Sequence, residues 1–134
     1  MNSITISSTE PKKKKFKFKK VSKLLDVRIG THIPKNKTFY NSLTKFYEES
    51  PANKLKPTQL FTGSPKFWRR PKRDEADIIK TRKYVNDNNL SVFIHSIYLI
   101  NLSKSPEQFK ERAFECLQYE LESGTQLGFK GVVV

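Results

Sequence analysis

The chain is 134 residues long, 36% hydrophobic and 29% charged, which allows one ordinary domain and excludes two full catalytic domains. No apolar run nears the roughly 18 residues needed to cross a bilayer, the start MNSITISSTEPKKKK lacks the apolar stretch of a secretory signal, and a single cysteine, Cys116, excludes an internal disulfide or a zinc finger built on paired cysteines. A formal charge of +13 points to a polyanion as partner, and an intracellular, nuclear or otherwise DNA-associated location is expected.

Residues 1–23 hold eight lysines against the one acid Glu10, a little over half of the whole excess. They show no hydrophobic period and too little apolar surface to offset chain entropy, so they read as a disordered lysine-rich arm. A solvated charge run, a nuclear import signal and a non-specific DNA contact all fit that composition. The rest of the positive charge lies in a second unit, residues 24–134.

From Leu24 onward, strand patterns alternate with helical ones. Val27–Ile33 reads as a first strand bounded by Pro34. Phe39, Leu43, Phe46 and Tyr47 then fall on one face of a 3.6-residue period, so a helix is expected from Thr38 to Glu49. Thr58–Thr62 reads as a short second strand, ended by Gly-Ser-Pro and followed by a long basic loop to Arg73. The acids Asp74, Glu75 and Asp77 suit the first turn of a second helix, which fades at Asn86–Asn89. Leu90–His95 is the third strand and Ser96–Lys104 the loop after it. Ser105, Pro106 and Gln108 form a capping-box start for a third helix. Phe109, Ala113, Leu117 and Leu121 are read as its buried stripe, with Cys116 a small buried hydrophobe beside it and Gly128 the exit. Lys130–Val134 reads as a fourth strand, apolar on both faces.

The order β-α-β-α-β-α-β implies a parallel sheet with helices outside, either a β/α barrel or an open doubly wound sheet. A closed barrel needs about 250 residues and eight strands, so about three βα units plus a fourth strand make the N-terminal half of one. The chain is accordingly expected to be a fragment that lacks a C-terminal barrel half. Function in such folds gathers at the carboxyl ends of the strands. Three segments stand there: Gly30-Thr-His-Ile33 with His32, the loop Phe61–Arg70 with the only tryptophan and aromatics among cations, and His95–Leu102.

Together, Ile29-Gly-Thr-His32, Phe61-Thr62 with Trp68-Arg69, and His95 with Tyr98-Leu-Ile-Asn-Leu102, followed by Gln126-Leu-Gly128, resemble the N-terminal half of the endonuclease IV family of apurinic/apyrimidinic endonucleases. The resemblance covers about Ile29 to Val134. It implies a zinc-dependent phosphodiesterase on a TIM-type barrel that cuts DNA on the 5′ side of an abasic site in base-excision repair, with three zinc ions in the intact enzyme. It implies that His95 is a zinc ligand and that His32 supports the metal site from behind. Tyr98 and Leu99 would wedge into the bent duplex, while Lys66, Phe67, Trp68 and Arg69 would form a second DNA-penetrating loop.

A neutral imidazole at a strand end suits zinc, and apolar wedges beside cations suit displacement of a base. Read alone, a histidine in that place is more often a hydrogen-bonded structural residue, and Tyr98 a packed aromatic. The pattern departs from the family in three ways. Lysine stands at Lys66 where the family usually shows arginine, Lys54 and Lys56 are inserted before the second strand, and the lysine arm has no counterpart. Most zinc ligands of the family come from strands four to eight, and Glu107, Glu111, Glu115, Glu120 and Glu122 are read as lying on a helix outside the barrel, unable to replace them. The chain alone is therefore expected to be inactive. Two other readings remain: a non-catalytic basic module that binds nucleic acid, and a sugar-isomerase-like barrel, against which the charge and the Phe67–Arg70 cluster count.

Overall fold

The computed structural model describes residues 28–103 and 107–134. The arm read over residues 1–23 and the capping start at Ser105 and Pro106 lie outside the described residues. Strands β1 (Thr31–His32), β2 (Thr58–Leu60), β3 (Val92–His95) and β4 (Gly131–Val133) alternate with helices α1 (Phe39–Glu49), α2 (Glu75–Asp87) and α3 (Glu107–Leu127).

The strands pair in parallel in the order β1-β2-β3-β4, with Gln59 level with Phe93 and Phe93 with Gly131. A doubly wound sheet reverses its strand order at a switch point. Here the order never reverses, and α1 packs on α2 and α2 on α3, so the fold is a sector of a β/α barrel. Alternation along the strands turns Thr58, Leu60, Val92 and Ile94 into the helical layer, where they are buried, and leaves Gln59, Phe93 and His95 half-buried on the opposite face.

Helices α1 and α2 each start on a side chain that answers free amides. Thr38 is extended and accepts from the Asn41 amide at 3.0 Å, while the Asp74 carboxylate accepts from Ala76 and Asp77 at 3.0 and 3.3 Å. A second, longer-range cap joins two helices. The Asp77 carboxylate, on α2, accepts from the first amides of α1, Phe39 at 2.8 Å and Tyr40 at 3.0 Å, and from the Thr81 hydroxyl at 3.1 Å. The expected stripe of α1 holds, with Leu43 and Tyr47 buried and Phe39 and Phe46 packed against the core. Tyr47 also shares a 2.7 Å hydrogen bond with the Thr58 hydroxyl, so the helix is bonded as well as packed to the sheet.

The segment Pro51–Leu55, to which the sequence pattern assigns no element, forms a 3-10 turn tied back by the Asn53 amide group to the Phe46 carbonyl at 2.8 Å. Two glycines have steric reasons. A Cβ on Gly30 would lie 2.5 Å from the Pro57 carbonyl oxygen, and Gly128 closes α3 at φ +72°. The described part of the first strand is shorter than the sequence pattern suggests: only Thr31 and His32 stand in register with β2, and the ladder ends with the Ile33 amide donating to the Gln59 carbonyl at 2.9 Å.

Along α3 the structure corrects the expected stripe. Leu121 is 51% exposed, while the buried line runs through Ala113, Cys116, Glu120, Ser123 and Leu127. A spacing of four residues advances about 40° beyond a full turn at each step, so a line that starts inward at Phe109 has rotated outward by Leu121. Glu120 thereby leaves the group of outward acids in which it was read and faces the sheet.

Asp77 holds three donors in a buried place, so removing its carboxylate leaves them without an acceptor. Asp77→Ala is expected to lower the unfolding free energy by roughly 2–4 kcal/mol in a urea titration, whereas Asp87→Ala, which breaks an exposed pair with Lys83, should leave the midpoint unmoved. A midpoint unchanged in both would show that water caps α1 equally well.

Candidate nucleic-acid interface at the carboxyl end of the sheet

Three consecutive strands end in a ring. His32 closes β1, Phe61 follows β2 and His95 closes β3, and Phe61 lies between the two imidazoles at 4.7 and 4.8 Å from their centroids. The imidazoles are 5.9 Å apart, and Tyr98 sets its ring edge-on to Phe61 at 5.5 Å and to His95 at 5.9 Å. The Nδ1 of His95 is 2.7 Å from the Ser96 carbonyl oxygen. A carbonyl only accepts, so Nδ1 carries the proton, and in the neutral tautomer this leaves Nε2 as the nitrogen that could bind a metal. Partial burial, and next the nearby His95, hold the His32 imidazole below its ordinary value, which favours its neutral form.

Two imidazoles are fewer than a catalytic zinc needs, which is three protein ligands and an open position. Among the described residues no group of three or more His, Cys, Asp or Glu side chains could hold a metal ion. The residues present therefore do not compose a zinc site by themselves.

The loop from Phe61 to Arg73 presents one side and is anchored by the other. Lys66 and Arg69 are exposed and make no ion pair among the described residues, and Phe67 is 65% exposed. Trp68 is half-buried and stacks on Phe109 of α3, centroids 6.1 Å apart and planes at 16°. The Cys116 thiol donates to the Trp68 carbonyl at 3.3 Å, and the Tyr119 hydroxyl donates to that of Pro71 at 2.8 Å. Arg73 donates to the Tyr119 carbonyl and the Glu122 carboxylate and lies over the Tyr119 ring. Between Phe67, Arg69 and the loop backbone at Gly63, Ser64 and Pro71 runs an open groove of about 450 Å³.

A second loop joins the first. The Tyr98 amide donates to the Pro65 carbonyl at 3.0 Å, so the segment after β3 is bonded to the segment after β2. Tyr98 is 63% exposed, and Leu99 beside it is also exposed. The structure thus brings Tyr98, Leu99 and His95 together with the loop that carries Lys66, Phe67 and Arg69, and turns Trp68 toward the helical layer.

Sequence reasoning missed the buried partner of this loop. Arg70, read only as one more cation, has a side chain 9% exposed, and its Nη1 stands 3.6 Å from Oε1 of the fully buried Glu120. Burial pushes the Glu120 carboxyl above the ordinary carboxylate range, against the opposing pull of Ser96, Arg70, the Ile97 amide and His95. The phase of α3 carried the signal, because Ala113, Cys116, Ser123 and Leu127 define an inward line on which Glu120 falls.

No protein-family model matches the chain. It is 28% identical over 109 residues to the probable endonuclease 4 of Haloarcula marismortui, a match that covers 81% of this chain and 38% of that protein. It is 31% identical over 107 residues to the probable endonuclease 4 of Thermosipho melanesiensis, covering 78% and 36%. The crystal structure of endonuclease IV from Thermus thermophilus superposes with a TM-score of 0.66 at 30% identity, over 81% of this chain and 39% of that one. The chain spans a little over a third of the length of these relatives.

A histidine held neutral in the fold resists the proton that the unfolded chain accepts. His32 therefore contributes stability that is present above the ordinary imidazole value of about 6.5 and is lost as pH falls through the lower value of the folded state. Stability measured by denaturant titration is expected to decline on acidification below about pH 6.5, and His32→Gln should flatten that part of the profile. An unchanged slope would place the His32 ring in bulk water.

Proposed function

We propose, from the chain's membership of the endonuclease IV family, that it forms the DNA-gripping sector of a zinc-dependent endonuclease that hydrolyses the phosphodiester 5′ to an abasic site. The observation that supports this reading best is the 3.0 Å hydrogen bond from the Tyr98 amide to the Pro65 carbonyl. It fastens two loops that expose Phe67, Tyr98 and Leu99 next to Lys66 and Arg69. Apolar side chains held rigidly among cations can part a base step while the cations neutralise phosphates, and an abasic site is the cheapest step to part because one stacking partner is gone.

In this reading Lys66 and Arg69 contact the backbone, Phe67, Tyr98 and Leu99 enter the duplex, and Trp68 fixes the loop to α3. His95 offers its Nε2 as one zinc ligand, with His32 beside it. The remaining ligands must come from protein outside the described residues. Residues 1–23, with their eight lysines, add phosphate affinity without lesion preference. The incomplete ligand set also favours a second reading, a basic module that binds nucleic acid without cutting it.

Titration of a duplex carrying one abasic-site analogue against the undamaged duplex, over a range of salt, tests the grip. Affinity should fall steeply with salt, and Tyr98→Ala should cut the abasic preference about tenfold, the value of one lost stacking contact. Equal losses on both duplexes would refute the wedge role. Removing residues 1–23 should weaken both duplexes alike and flatten the salt slope, and a loss of lesion preference with the arm would move specificity out of the loops. Zinc-dependent nicking supports the hydrolase, whereas salt-sensitive binding without nicking supports the module.

A further inference from the structure

The planar guanidinium of Arg70 works on two sides. Its Nε donates to the Trp68 carbonyl at 3.2 Å, and its Nη2 donates to the carbonyls of Ser64, at 3.1 Å, and Phe67. Its Nη1 faces Glu120. One side chain thus gathers three carbonyls of the arch that carries Lys66 and Phe67, and a carboxylate from the third helix holds that side chain in place. Ser96 and the Ile97 amide, at the root of the other loop, also act electrostatically on the Glu120 carboxyl. The acid is not part of either loop, yet it pairs with an arginine of the first and acts electrostatically at the root of the second.

We propose that Glu120 is the positioning residue of the nucleic-acid loop: it holds Arg70 beneath the 64–70 arch, and Arg70 sets the arch that presents Lys66 and Phe67. The proposal rests on the DNA-gripping reading above. A buried guanidinium needs a nearby negative charge, since without one it is driven to water. Among the described residues, Glu120 is the acid that pairs with Arg70. Once Arg70 leaves, the carbonyls of Ser64, Phe67 and Trp68 lose a shared donor, and no lysine could replace it, because an ammonium lacks the planar fork that reaches several acceptors at once.

Trp68 is the only tryptophan of the chain and lies in this arch, so its fluorescence reports the loop without DNA. Acrylamide, being neutral, reads its exposure independently of charge. In Glu120→Leu, which keeps an apolar fit for α3, Trp68 quenching should at least double and affinity for the abasic duplex should fall about tenfold. In the double variant Arg70→Met, Glu120→Leu the unpaired charge is gone, so the unfolding midpoint should return toward that of the parent chain. Trp68 should nonetheless stay quenchable and the duplex weakly bound.

Recovery of Trp68 shielding and of DNA affinity together with stability would overturn the proposal, because the pair would then serve stability alone. Shielding unchanged in Glu120→Leu would overturn it as well. Should Glu120→Leu fail to fold, Arg70→Met tests the same link from the loop side, with a freed Trp68 supporting it and an unchanged one refuting it. Freed Trp68 in these variants, combined with a parent chain that binds no duplex, would uphold the positioning and refute the DNA reading on which it rests.

Discussion

Four strands that run parallel in unbroken chain order send every βα connection out of the same end of the sheet. That constraint decides which residues can meet. Segments 29 and 63 residues apart from the first histidine, at Phe61 and His95, arrive as neighbours because each closes its strand at the same level. The register of β2 against β3, with Leu60 opposite Ile94, then places Phe61 beside His95 and brings the loops that follow them together. The Tyr98–Pro65 bond is a consequence of that adjacency. An antiparallel or reversed sheet with the same residues would scatter them over two ends.

Two buried carboxylates stabilise this arrangement in different ways. Asp77 is met by two amides and a hydroxyl within hydrogen-bond distance, so its desolvation is compensated locally and its effect is structural, binding α2 to the start of α1. Glu120 is buried deeper and has only the charge of Arg70 at 3.6 Å among its ion pairs. Such a pair contributes little net stability against an apolar alternative, though breaking it from one side is costly. Its presence in the core is therefore better explained by what it orients than by what it stabilises. The exposed pairs Lys83–Asp87 and Lys110–Glu107 stand outside this logic, since water screens both.

Most of the fold was legible because apolar period and capping chemistry agree in this chain. Thr38 and Asp74 announce their helices, Asn86–Asn89 ends the second one with Asn89 at φ 48°, and Gly128 closes the third. The barrel was separable from the doubly wound sheet only by strand order, which no local pattern encodes. The site was legible at the level of strand ends, where His32, Phe61 and His95 fall. The anchoring of the loop was not, because it depends on which way α3 is rotated. Leucines four apart suggested one phase, while Ala113, Cys116 and Leu127 impose another about a third of a turn away, and an acid in an otherwise inward line reads as an exception until its arginine is seen.

The exposed aromatics complete the argument about what this end of the sheet is built to do. Phe67 and Tyr98 are each more than three-fifths exposed, so the chain forgoes the apolar burial that would otherwise stabilise them. Chain entropy alone would let such side chains fold back onto the sheet. What prevents it is backbone bonding behind them: Arg70 on the carbonyls at 64, 67 and 68, Cys116 and Tyr119 on those at 68 and 71, and the Tyr98 amide on Pro65. A surface that keeps apolar rings in water on stiff supports has met the ordering cost of an encounter beforehand, so the partner meets a shape already set. Flanked by Lys66 and Arg69, that shape suits the nucleic-acid partner proposed above, a polyanion whose interior can be opened.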